Sequence, residues 1–158
     1  LRALLVRAGL REIRSLVMDD IPEAQRPADF AWMTGPLLGG VRERIAPKDK
    51  TLTELVGLHV QGLKKKCTGT FNAEIDNEIA ANGIMLRKAL VTCNLKQGET
   101  ARDVVVSILF YLTGAGRFTI FTHETEPANR AAALAVRDAL AETLVQLAEQ
   151  NTPKPDKK

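Results

Sequence analysis

The sequence predicts an α+β fold: an antiparallel β-meander sheet flanked by a helix on its N-terminal side and by a long C-terminal helix. Three features predict it. An uninterrupted amphipathic stretch follows Pro127, a Thr-x-x-Glu pattern at Thr51–Glu54 opens a second apolar stripe, and β-rich segments joined by short Gly-containing links lie between them. Consecutive strands with short links favour antiparallel neighbours.

The first 48 residues are punctuated by Pro22, Pro27, Pro36 and Pro47, which excludes one long helix. Residues 12–18 and 29–33 are strand candidates, and 41–45, alternating apolar and charged, is a better one. A helix from Leu1 to Val17 is the alternative, less favoured because its apolar positions do not settle on one stripe. Gly35-Pro36-Leu37-Leu38-Gly39-Gly40 reads as a flexible loop. It lacks the Lys-Ser/Thr ending of a P-loop and the spacing of a dinucleotide fingerprint.

A helix is expected from Leu52 to Lys66, because Thr51 and Glu54 can each satisfy the other's free backbone N–H. Its apolar face is Leu52, Leu55, Val56, His59, Val60 and Leu63. Four strands follow, at 68–75, 85–95, 103–112 and 117–123. Asn82-Gly83 ends the loop between the first two, Gly98 lies in the next link, and Thr113-Gly114-Ala115-Gly116 is a tight hairpin turn. The last helix has Pro127 in its first turn and Thr125 or Glu126 as cap. Val136, Leu140, Leu144 and Leu147 form its apolar stripe, with Arg130, Arg137, Glu142 and Glu149 elsewhere.

The 158 residues suit one domain over 1–150, with 151–158 expected as a disordered tail containing Pro153, Pro155 and three lysines. A chain of this size buries roughly two thirds of its unfolded surface, so its core needs neither metal nor disulfide. Lys and Arg outnumber Asp and Glu by 12 to 8 through Lys66, whereas residues 67–150 carry 7 against 10. The basic half suits an acidic partner, but aromatics are only 4%, and nucleic-acid binders concentrate basic and aromatic residues far more. No apolar run approaches a membrane span of about 20 residues. The chain opens on Leu1 rather than Met, from which a trimmed start is expected. Leu1–Val6 is too short for a complete signal peptide.

Cys67 and Cys93 are the informative pair. A hairpin centred near Ala80 sets them opposite each other, together with Phe71 against Ala89 and Ile75 against Met85. Directly opposed residues lie about 4.5–5.5 Å apart, within disulfide reach. A disulfide suits a periplasmic or secreted protein; two buried thiols would suit a cytoplasmic one. His59, His123, Cys67 and Cys93 match no local zinc spacing, and no cofactor motif is present. His59 reads as a hydrogen-bonded core residue and His123 as the end of the last strand. Asp19-Asp20 and Glu124/Glu126 fit turn and helix-start roles. Lys64, Lys65 and Lys66 complement a helix C-terminus and could also meet an anion. Trp32, beside Phe30 and Met33, is either core or part of a groove. Trp32, His59, His123 and Lys64–Lys66 are therefore the candidates for a binding surface.

This element order, from Thr51-Leu52-Thr53-Glu54-Leu55 through Gly116-Arg117-Phe118-Thr119-Ile120-Phe121 to Glu126-Pro127, resembles that of the Mog1/PsbP-like superfamily over about two thirds of the chain. The resemblance implies an α/β/α sandwich, mostly non-catalytic members that bind protein partners, and exported bacterial relatives. It carries over no functional residue. The expected function is a non-enzymatic binding or accessory domain of an exported bacterial protein, engaging a protein partner or small ligand. The alternatives are a small enzyme using His59, Cys67 and His123, and a cytosolic interaction module using the basic N-terminal half. No oligomeric state follows from the sequence.

Overall fold

The computed structural model describes residues 1–153. The chain starts with a short helix, α1 (Arg2–Arg7), and then β1 (Arg14–Leu16). A 3-10 turn, Glu23–Gln25, precedes β2 (Phe30–Thr34) and β3 (Leu37–Ile45). Helix α2 (Leu52–Lys66) leads into β4 (Phe71–Ile75), β5 (Ile79–Ala81), β6 (Ile84–Gln97), β7 (Thr100–Thr113) and β8 (Arg117–Thr125). A 3-10 turn, Pro127–Asn129, starts the long closing helix α3 (Arg130–Asn151).

The eight strands form one sheet in the order β1-β2-β3-β8-β7-β6-β4, with β5 also paired to β6. All the pairings are antiparallel. Helices α1 and α3 cover one face, where Leu5, Trp32, Val41, Leu86, Leu109, Phe121, Leu140 and Leu144 form a core. Helix α2 covers the other, packing Leu52, Val56 and Val60 on Ile108, Phe110, Phe118 and Ile120. The α+β class, the meander and the closing helix are thus as the sequence predicts, and both faces of the central strands are buried.

Several local expectations change. The region before Gly9 is helical and the region after it extended, so the two readings of residues 1–17 each hold for part of it. Gly9 (φ 88°) and Glu12 (φ 51°) make the break. The stretch from Gly35 to Gly40 is no loop: Gly35-Pro36 is the turn, and Leu37–Gly40 is strand paired to both β2 and β8. Gly39 is required there because the Trp32 indole lies over it, and a Cβ would overlap the ring. Five strands, not four, separate α2 from α3. Asn82-Gly83 joins Ala81 to its partner Ile84, with both turn residues at positive φ (50° and 80°), as a type I′ hairpin requires. The missed β5 is only three residues long.

On α3, Leu140 and Leu144 are buried, and Arg137, read as lying off their stripe, is buried as well. Its Nη1 donates to the Ala89 carbonyl (3.1 Å) and its Nη2 lies 2.9 Å from the Asp138 carboxylate. Thr125 is not the cap of the closing helix: its hydroxyl donates to the Pro36 carbonyl (3.0 Å). Glu126 precedes the 3-10 turn without a side-chain cap bond. Asn151, expected to open the tail, instead ends α3; residues 154–158 lie outside the described residues. Among the described residues, no helix is long and apolar enough to cross a membrane.

Candidate binding cleft

Cys67 and Cys93 form a disulfide with Cα atoms 5.9 Å apart, yet the register that suggested it is wrong. In the β4–β6 ladder Cys93 faces Phe71, and Ile75 faces Ala89 rather than Met85. Cys67 is not in a strand at all; it caps α2, its N–H bonded to the Leu63 and Lys64 carbonyls. The bridge therefore ties the end of the helix to the sheet beneath it. With both sulfurs used, Cys67 has no thiol to act as a nucleophile.

The two histidines sit on opposite faces of the sheet. His123 is 1% exposed on β8, and its Nε2 has no hydrogen-bond partner. It lies in a cross-strand row in which Trp32 faces Gly39, Gly39 faces His123, and His123 faces Ser107. Without a side chain at Gly39, the Trp32 ring reaches over to meet His123 edge-on at 5.5 Å. Burial pushes the His123 imidazole down to about 4. His59 packs edge-on against Phe110 at 5.5 Å, and its Nε2 is also unpartnered, so it is no hydrogen-bonded core residue. Burial, then the charges of Arg42 and Lys66, lower its pKa. His59, Cys67 and His123 thus line no common cleft, and His123 belongs to the interior, not to a binding surface. Lys64, Lys65 and Lys66 are exposed on the last turn of α2, as expected.

A concavity lies elsewhere, at the corner between α1 and the β1 edge of the sheet. Its volume is about 310 Å³. Helix α1 is held there by buried Leu5, by buried Leu10 beyond it, and by an Arg7–Gln150 hydrogen bond (3.0 Å) to α3. The Thr34 hydroxyl donates to the Arg11 carbonyl (2.7 Å) and fixes the link into β1. Leu5, Ile13 and Leu16 form apolar walls, and Trp32, 2% exposed, lies beneath. Trp32 is therefore both core and cleft floor.

Four charged side chains line this cleft: Arg2, Asp19, Arg26 and Asp29. Asp29 is already matched, accepting from the Glu43 backbone N–H (2.7 Å) and pairing with Arg44 (3.0 Å). Burial alone would raise its pKa; those two partners outweigh it and hold the carboxyl below its usual value. The Arg26 Nε donates to the Ile21 carbonyl (2.9 Å) and Arg2 reaches the Ile13 carbonyl at 3.5 Å. Among the described residues neither guanidinium has a carboxylate partner. With Asp29 neutralised by Arg44, the cleft keeps two cations against Asp19.

A second groove of about 280 Å³, between β6, β7 and the start of α3, is different in kind. Its amide and charged groups are already partnered: the Asn94 amide donates to Asp103 (2.7 Å), and Arg130 pairs with Glu74 (3.6 Å) outside the lining. Among the described residues, no group of three or more His, Cys, Asp or Glu side chains is placed to hold a metal ion.

The corner cleft escaped the sequence reading except for Trp32. Its walls come from three separated segments, and the sole signal was a Trp in a region without clear periodicity.

No family model and no curated protein matches the chain. Among solved structures, a Pseudomonas aeruginosa protein of unknown function is similar at 17% identity and a TM-score of 0.49, over 90% of this chain and 98% of its own. A hypothetical protein from Helicobacter pylori is similar at 14% identity and a TM-score of 0.24, over 93% of this chain and 79% of its own. Likenesses this low say nothing about function.

Proposed function

We propose that this chain is a non-enzymatic binding domain of an exported protein, holding a ligand in the corner cleft above Trp32. The observation that carries the reading is the composition of the cleft: aliphatic walls, a buried indole and guanidinium groups that, among the described residues, bond only to backbone carbonyls. Concave sites with apolar walls and a few polar groups are the usual form of a ligand pocket. The non-enzymatic part is supported by the distribution of reactive groups. Both thiols are joined in a disulfide, and both imidazoles lie outside the cleft lining. Export is supported by the same disulfide, since such bonds persist in oxidising compartments. Membership in the Mog1/PsbP-like superfamily is a proposal of the same kind, resting on element order alone.

Hydrogen–deuterium exchange in the presence of a pooled library of amphipathic small molecules tests the reading. Protection should fall on residues 13–19 and 29–32. Protection confined to the Asn94–Asp103 groove, or none anywhere, would remove the cleft as the site.

One further observation favours a protein partner at the same corner. Strand β1 ends the sheet, and Val17 (81% exposed) and Phe30 (63% exposed) flank it. An added strand could pair with that open edge. It would protect the backbone amides of Arg14–Leu16 without requiring the cleft to be filled.

A further inference from the structure

We infer that the ligand of the corner cleft is an amphipathic carboxylate: an aliphatic or aromatic body with one anionic head. The inference rests on the cleft being the binding site, as proposed above, and adds the chemical class. The head is argued from charge. Among the described residues, Arg2 and Arg26 line the cleft with their guanidinium groups bonded only to carbonyl oxygens, while Asp29 is taken by Arg44. A guanidinium presents a planar fork of donors that matches a carboxylate and is only partly used by one carbonyl. An ammonium ligand would meet Asp19 but also both cations, so the balance of charge favours the anion.

The body is argued from the walls and the size. Half-buried Ile13 and Leu16 with exposed Val17 and Phe30 offer aliphatic and aromatic surface, backed by buried Leu5 and Trp32, and a neutral polar ligand would lose its water there without finding enough partners. A volume of about 310 Å³ is near the lower end of ligand cavities, which run from roughly 300 to 1,000 Å³. One unbranched chain or one ring fits that size better than a branched lipid.

Trp32 is the only tryptophan in the chain, so its emission reports the cleft floor directly. Decanoate, below its micelle concentration, is the test ligand, with decanol and decylammonium as matched controls. Decanoate should change the Trp32 emission saturably, and added salt should weaken the response. Arg26→Gln should weaken decanoate roughly tenfold, the loss expected for a hydrogen bond to a charged group, and leave decanol unchanged. Arg26→Lys should restore part of the affinity, and circular dichroism of each variant checks the fold. Equal affinity for decanol and decanoate would overturn the anion argument while leaving the cleft as a binding site. No saturable response to decanoate would overturn the inference outright. Loss of library protection at residues 13–19 and 29–32 is the separate result that sinks the cleft itself.

Discussion

His123 is a titratable ring enclosed between an indole and Ser107, with no partner for its Nε2. Its folded pKa of about 4 lies below the ordinary 6.5, so the unfolded chain binds the extra proton first. Stability is therefore full above pH 6.5, falls as the pH drops from 6.5 towards 4, and levels off below that. The loss for this group amounts to about 3 kcal/mol. His59, lowered by burial, acts in the same direction. Urea unfolding at pH 7.5 and 5.0 checks this, since the lowered carboxylates Asp29 and Asp138 change little in that range. A His123→Phe variant should lose most of the pH slope. Beside it, Gly39→Ala should destabilise by about 1–3 kcal/mol through overpacking against Trp32, with a redder Trp emission and a lower Tm. Neither environment was legible in the sequence. Trp32 was readable as core, but Gly39 looked like part of a loop, because its reason for being glycine is a ring on another strand. Arg137 was placed off the apolar stripe for the same sort of reason: its partner, the Ala89 carbonyl, lies on a strand far away in sequence.

The disulfide joins two elements and shows how far local patterns reach. Helix α2 was legible to the residue: Thr51 accepts from the Glu54 N–H (3.2 Å) while Glu54 accepts from the Thr51 N–H (2.8 Å), as the pattern requires. The pairing of Cys67 with Cys93 was legible too, but through a register that the chain does not adopt. The β4–β6 ladder is shifted relative to that register: the assumed loop holds Asp76 to Glu78 and the short β5, which makes its own pairing with β6. A wrong ladder gave the right bridge because only one other cysteine exists. The bridge spans 26 residues. Chain-entropy reasoning puts its removal at about 3.5 kcal/mol. The double variant Cys67→Ala/Cys93→Ala should show that loss in a denaturant titration. It should exchange amides faster in the last turn of α2, while β7 and β8 stay protected. An unchanged unfolding midpoint would mean that the bridge contributes nothing to stability.

At the scale of the molecule, sequence periodicity recovered the meander and its two large helices but not the N-terminal strands as part of the same sheet. Strands β6, β7 and β8 follow one another through tight turns, so their pairing is local. Strand β3 instead lies beside β8, with Leu38 opposite Glu124 and Ile45 opposite Arg117. No local signal marks a partner so distant, and the corner cleft, built on β1 and β2 beyond that junction, was hidden with it. Helix α3 then reaches back over both halves, through the Ser107–Ala133 hydrogen bond (2.8 Å) on one side and Arg7–Gln150 on the other.

The β3–β8 seam also has a consequence in time. During synthesis β1, β2 and β3 emerge well before β8, the strand that pairs with β3. The segment that carries the cleft must therefore wait without its neighbour until residue 125 has been made. Pairings between such distant parts of a chain form slowly, because the intervening loop must first be closed. The cleft-bearing strands are thus made before the neighbour that joins them to the rest of the sheet, and whatever occupies the cleft meets a fully supported site only after β8 has been made.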